Sequence, residues 1–179
     1  MPETTRFIVY ACPRGPLHDQ IEAYYERTLN EVGRNLAHDY MPHISLTGFF
    51  RDDVSAAPHY AATLEETVFA EPEPAAVRIT GMPLLPDWLG LTIEAEELRR
   101  RVAAFATHAT SPARPEAIRL KDNLHVSFAY GFPPDSQETL ARLAAQMIDA
   151  SAPVAWDVRF YERNHANEWL CHYSRPLVD

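Results

Sequence analysis

The sequence predicts an α+β fold with internal pseudo-symmetry, and three observations carry that prediction. Apolar residues alternate with period two in some segments and recur every three to four residues in others, so strands and helices interleave. A pattern of histidine, apolar residue, serine and apolar residue occurs twice, as His43-Ile44-Ser45-Leu46 and His125-Val126-Ser127-Phe128. Each copy runs into a glycine-bearing turn, at Gly48 and Gly131, and then into an acidic helix start, at Asp52-Asp53 and Asp135-Ser136.

Taken in order, Phe7 to Ala11 reads as a buried strand closed by Pro13-Arg14-Gly15-Pro16. Pro16 suits the first turn of a helix, where a missing N–H costs nothing. Leu17, Ile21, Tyr24 or Tyr25, Leu29 and Val32 then recur at helical spacing. The first motif strand spans His43 to Phe50, and Asp52 or Asp53 can cap a second helix. Its inner stripe is Ala57, Ala61, Leu64 and Val68. Glu71-Pro72-Glu73-Pro74 marks a junction between halves, too short to separate independent units, so one domain over residues 1–179 is expected.

Val77 to Met82 and Trp88 to Ile93 read as strands, and Leu98, Val102 and Phe105 mark a third helix. Ser111 to Pro115 is a loop, and Ile118-Arg119-Leu120 a short strand. The second motif strand runs from Leu124 to Phe132. Asp135 and Glu138 fit a capping-box-like start to a fourth helix, with Leu140, Leu143, Ala144, Met147 and Ile148 inward. Val154, Trp156, Val158 and Phe160 alternate on one strand face. A last strand, Glu168 to Tyr173, follows the Asn164-His165-Ala166-Asn167 turn.

Composition limits the partners. Hydrophobic residues at 46% and charged residues at 23% are ordinary globular values. The formal net charge is -9 and no basic run exceeds Arg99-Arg100-Arg101. That excludes a broad footprint for duplex or long single-stranded nucleic acid, so an anionic substrate must be small and held by local donors. Cys12 and Cys171 have neither disulfide-framework nor metal-ligand spacing, and both are expected as buried thiols. No apolar run suits a signal segment or a membrane span. A cytoplasmic monomer with no membrane partner is the expectation.

Side chains at i and i+2 of a strand share a face. His43 therefore stands beside Ser45, and His125 beside Ser127, with Ile44, Leu46, Val126 and Phe128 behind them. Two imidazoles over one cleft can divide general-base and general-acid work, because the reference pKa of about 6.5 allows both protonation states near neutrality. In phosphodiester cleavage one would activate the attacking oxygen and the other protonate the leaving oxygen. The two serines would donate to the non-bridging oxygens. This scheme needs no metal and no cofactor. Serine as nucleophile is disfavoured, since no triad carboxylate is signalled.

Other residues have two readings. Thr47 shares the face of His43, and Tyr10, Phe50 and Trp88 could stack on a base, although aromatics more often fill cores. Arg119 and Lys121 could supply positive charge or form a solvated loop. His38-Asp39 fits turn stabilisation better than metal binding, and His172 is the remaining histidine worth locating.

The paired strings resemble the signature of the two-histidine phosphoesterase superfamily, which includes RNA ligase-like cyclic phosphodiesterases. Tyr10 to Pro16, Ala37-His38-Asp39, Pro42 to Leu46, Phe49-Phe50 and Leu124 to Tyr130 resemble one branch of it. That branch is the phosphoesterase domain of the suppressor-of-T-cell-receptor-signalling proteins. The resemblance implies a bilobal fold, with antiparallel-rich sheets flanking a central cleft and helices outside. It implies metal-independent hydrolysis of a small cyclic phosphodiester, such as a 2′,3′-cyclic nucleotide or RNA 3′ end. The alternative is a non-catalytic nucleotide or RNA-end binding module of the same fold. The catalytic histidines map onto His43 and His125, and the substrate-binding hydroxyls onto Ser45, Ser127 and Tyr130. Strand alternation alone would turn Tyr130 away from His125, so its role requires a bulge, expected near Gly131.

Overall fold

Alternation along the first strand sets up both layers of the molecule. In the computed structural model, which describes residues 4–177, β1 (Thr4–Arg14) sends Phe7, Val9 and Ala11 into the main core. It sends Ile8, Tyr10 and Cys12 to the opposite face, where they pack with Tyr161, Met41 and Trp169. Both sets are buried, as a central strand covered on two faces requires.

After β1 come α1 (Pro16–Glu31), β2 (Ile44–Ser45), β3 (Phe50–Asp53) and α2 (Ala57–Thr67). The second half supplies β4 (Arg78–Gly81), β5 (Trp88–Glu94), α3 (Glu96–His108), β6 (His125–Tyr130) and α4 (Gln137–Met147), then β7 (Ala155–Arg163) and β8 (Trp169–Leu177). The strands form one sheet in the order β4-β5-β6-β2-β1-β7-β8, with β3 also on β1, and every pairing is antiparallel. The fold is α+β, and the two halves of the sheet meet at β2 and β6. The helices pack α1 against α4 and α2 against α3, so each pair takes one member from each half. Helix α1 also touches both β1 and β6, backing the join. Phe7 stacks on Phe160 at 5.1 Å and meets Tyr60 at 5.7 Å, which ties β1, β7 and α2 together.

Several sequence expectations are corrected. The first motif strand breaks after Ser45, because the N–H groups of Leu46 and Thr47 both reach the Val9 carbonyl, at 3.0 and 3.4 Å. Thr47 Oγ1 accepts the Val9 N–H at 3.1 Å, so its side chain is buried structure and does not line a cleft. In α1, Thr28 is buried while Leu29 is exposed; Thr28 Oγ1 satisfies itself on the Tyr24 carbonyl at 2.8 Å. Asp53 caps a short 3-10 turn through the Ser55 N–H at 2.8 Å, whereas Asp52 turns inward to the Tyr60 hydroxyl. Helix α4 follows a 3-10 turn at Pro134–Ser136 and has no side-chain cap, so the Asp135 and Glu138 box does not form. Ile118 to Leu120 makes only one bridge, Leu120 to Thr47. Cys12 is buried, which pushes its thiol up to about 12, but Cys171 is exposed because β8 is an edge strand.

The 71–74 junction is tied down by Arg101, with Arg100 also pairing with the Glu71 carboxylate. Arg101 of α3 is buried and donates to the carbonyls of Val68, Glu71 and Glu73, at 3.2, 3.3 and 2.7 Å, while pairing with Glu97 at 2.7 Å. Arg101→Met should lower the unfolding free energy in urea by about 1–3 kcal/mol, since the buried Val68 carbonyl and two partly buried ones lose their donor. Leu29→Ser should change it by less than about 0.5 kcal/mol.

Candidate active site

One residue pair, Ile44 with Val126, joins β2 to β6, and both side chains are buried. Their antiparallel register carries His43 across from Ser127 and Ser45 across from His125. The two histidines are then diagonal neighbours, with backbones roughly 7–8 Å apart. On this face a cleft of about 400 Å³ is lined by His43, Ser45, His125, Ser127 and Tyr130. All five residues singled out in the sequence thus meet around one space.

Tyr130 arrives by a device other than the one expected. Leu89 pairs with Ala129 but Gly90 with Ser127, so Phe128 is an extra residue in β6. Phe128 and Ala129 are both buried in succession, and the alternation restarts one residue later. The bulge lies at Phe128, before Gly131, and returns Tyr130 to the face of His125. Burial, aided by the neighbouring Tyr40 and Asp39, raises the Tyr130 phenol to about 12 despite Arg163, so it stays a neutral donor near pH 7.

The two imidazoles share one anchoring geometry. His43 Nδ1 lies 2.7 Å from the Met41 carbonyl, and His125 Nδ1 lies 3.0 Å from that of Asn123. A carbonyl only accepts, so each Nδ1 carries a hydrogen, and in the neutral ring Nε2 keeps its lone pair. Their surroundings differ. His43 is half-buried and stacked on Tyr10, with centroids 4.0 Å apart. Burial drives its pKa down to about 4; the bond to Met41 opposes this, and the charges of His125 and Lys121 add to it. His125 is exposed, with the Trp88 ring edge-on at 5.4 Å.

Two cations complete the wall. Arg119 and Lys121 line the cleft, and among the described residues neither side chain makes a hydrogen bond or an ion pair, although their main chains bond Gly48 and Leu46. Arg119 lies over Gly48, where a Cβ would stand 3.1 Å from its Nε. Of the proposed stacking residues, Tyr10 is taken up under His43 and Phe50 belongs to the core. Phe49 faces the cleft instead, 6.1 Å from Trp169. Trp169 also sits 5.6 Å from Tyr40, and Arg163 lies over both rings. Nothing in the sequence singled out Tyr40, Trp169 or Arg163; they become visible only once β8 and β7 are placed beside β1.

His38 is structural. Its Nδ1 accepts the Asn35 N–H at 3.1 Å, and its Nε2 donates to the Tyr25 carbonyl at 3.0 Å, a capping box at a 3-10 turn. His172 bonds Glu162 at 2.7 Å and packs near Phe7 and Phe160, away from the cleft. Among the described residues no three His, Cys, Asp or Glu side chains converge as a metal site, and no helix is long and apolar enough to cross a membrane.

No family model matches this chain. It is 28% identical over 172 residues to ubiquitin-associated and SH3 domain-containing protein B of Mus musculus, covering 91% of this chain and 26% of that protein. It is 26% identical over 162 residues to ecdysteroid-phosphate phosphatase of Bombyx mori, covering 88% and 24%. The chain thus spans about a quarter of the length of these relatives. Usb1 of Kluyveromyces marxianus superposes with a TM-score of 0.45 at 14% identity, over 95% of this chain and 97% of that one. The sequence relatives are homologues of nearly the whole chain, which agrees with the resemblance to the two-histidine phosphoesterases near the suppressor-of-T-cell-receptor-signalling branch.

The depressed His43 pKa has a consequence for stability. Between about 6.5 and 4 the unfolded chain binds a proton at this ring that the folded chain does not, so its contribution to stability falls as pH falls through that window. NMR titration should find one imidazole titrating near pH 4. In His43→Gln, urea midpoints measured across the same window should fall less steeply with acidification.

Proposed function

We propose that this chain is a phosphoesterase that opens a small cyclic phosphodiester, such as a 2′,3′-cyclic nucleotide or the cyclic phosphate at an RNA 3′ end, without a metal ion. The observation that carries this reading is the arrangement of two imidazoles around one cleft. Both have Nδ1 tied to the backbone, and both stand among serine hydroxyls and unpaired cations. That a homologue is named a phosphatase supports phosphoester chemistry.

Burial keeps His43 neutral near pH 7, and with Nδ1 bonded to the Met41 carbonyl its Nε2 lone pair is free to take a proton from the attacking water. His125, in its protonated form, gives its proton to the leaving ribose oxygen. The water oxygen bonds to phosphorus as the phosphorus–ribose bond breaks. Proton exchange with solvent then restores both rings. Ser45, Ser127 and Tyr130 donate to the non-bridging oxygens, and Arg119 and Lys121 offset their charge. Phe49, which lines the cleft and is backed by Trp169, offers an aromatic surface on which a base can rest.

Purified protein in EDTA should open 2′,3′-cyclic AMP with a bell-shaped pH profile whose acid limb lies well below neutrality. His43→Ala and His125→Ala should each lose at least about 100-fold in kcat with the fold retained by circular dichroism. Full activity in either variant overturns the mechanism. Binding of cyclic AMP without any product identifies a binding module instead.

A further inference from the structure

The two serines have the same sequence setting but different hydrogen-bonding environments. Among the described residues, Ser45 Oγ makes no hydrogen bond within the protein, whereas Ser127 Oγ accepts the indole N–H of Trp88 at 2.9 Å. How the indole gets there is unusual. Residues 88 and 90 share a face of β5, and Gly90 is the cross-strand partner of Ser127. A Cβ at position 90 would lie 2.4 Å from Cζ2 of Trp88 and 2.2 Å from the Val126 carbonyl oxygen. The indole therefore folds back across the space that a side chain would fill and reaches the serine on the next strand. The Phe128 bulge falls at the same point of the ladder.

The chemistry of the contact has one direction. An indole N–H only donates, while a hydroxyl has one proton to give and two lone pairs. With one lone pair held by Trp88, the Ser127 proton is left to point toward an acceptor in the cleft. Accepting one hydrogen bond also strengthens the bond a hydroxyl gives. The Ser127 main chain is fixed as well, since its carbonyl accepts the Tyr25 hydroxyl at 2.8 Å.

We propose that Trp88 is a positioning residue: its indole N–H orients the Ser127 hydroxyl to donate to the phosphoryl oxygen, and Gly90 is the vacancy that admits it. This inference rests on the phosphodiesterase reading above. It makes the two motif copies inequivalent. Ser127 is a preset donor, and Ser45 is a free rotor that must be ordered by the substrate.

The test is a double-mutant cycle with 2′,3′-cyclic AMP. Trp88→Phe keeps an aromatic ring but removes the N–H; it should lower kcat about tenfold with KM within about twofold. Ser127→Ala should lose more, and more than Ser45→Ala. Adding Trp88→Phe to Ser127→Ala should cost nothing further, because both act through one hydroxyl. The chain has three tryptophans, so the Trp88 indole N–H resonance can be assigned by its loss in Trp88→Phe, and it should move upfield in Ser127→Ala. Additive losses, or a raised KM with unchanged kcat in Trp88→Phe, would overturn the positioning role and leave the phosphodiesterase reading intact. Absence of turnover by the wild-type protein would overturn that reading and this role together.

Discussion

The cleft depends on a single cross-strand contact, the pairing of Ile44 with Val126. Both side chains point into the core beneath the helices, where burial holds them, so their neighbours on either side are forced to the opposite face. A slip of one residue in either strand would turn that strand's histidine into the core and its hydrophobic residue outward. Register and site geometry are therefore one constraint. Helix α1 reinforces it from behind by packing on strands of both halves.

From a near-symmetric pattern the fold makes two unlike imidazoles. The backbone tie at Nδ1 is repeated at both positions, and the difference lies in what surrounds the rings. Tyr10 and Tyr40 cover His43, and Lys121 adds like charge, so its protonated form is penalised. His125 stands at the rim, where Trp88 separates the cleft from a second groove of about 1080 Å³. Duplicated strands thus furnish one ring kept neutral and another open to water, a division of labour suited to the proposed reaction.

Much of this was legible in the sequence because it follows from periodicity. The period of two placed His43 with Ser45 and His125 with Ser127, and the spacing of Leu17, Ile21 and Tyr24 gave α1. What escaped depends on single residues that break a period. The Val9 carbonyl taking two N–H groups ends β2 early, and the extra Phe128 redirects Tyr130; neither leaves a mark in the pattern of polar and apolar residues. Phe49 and Phe50 are identical in type and adjacent, so only the break decides which one faces the cleft. Trp169 lies 126 residues beyond His43 in the chain, and its place near the cleft is a matter of strand order, which no local signal encodes.

The crossed packing of the helices has a consequence for how the chain holds together. Severing it at the proline-bearing stretch between α2 and β4 would leave an amino-terminal piece with α1 and α2 but neither helical mate. The carboxy-terminal piece would keep α3 and α4, together with β7, which would retain β8 but lose β1 on its other side. Each fragment would expose the apolar surface that only the other can cover. The nicked polypeptide would thus behave as an obligate heterodimer, the two cleft histidines divided between the pieces and brought together only on reassociation.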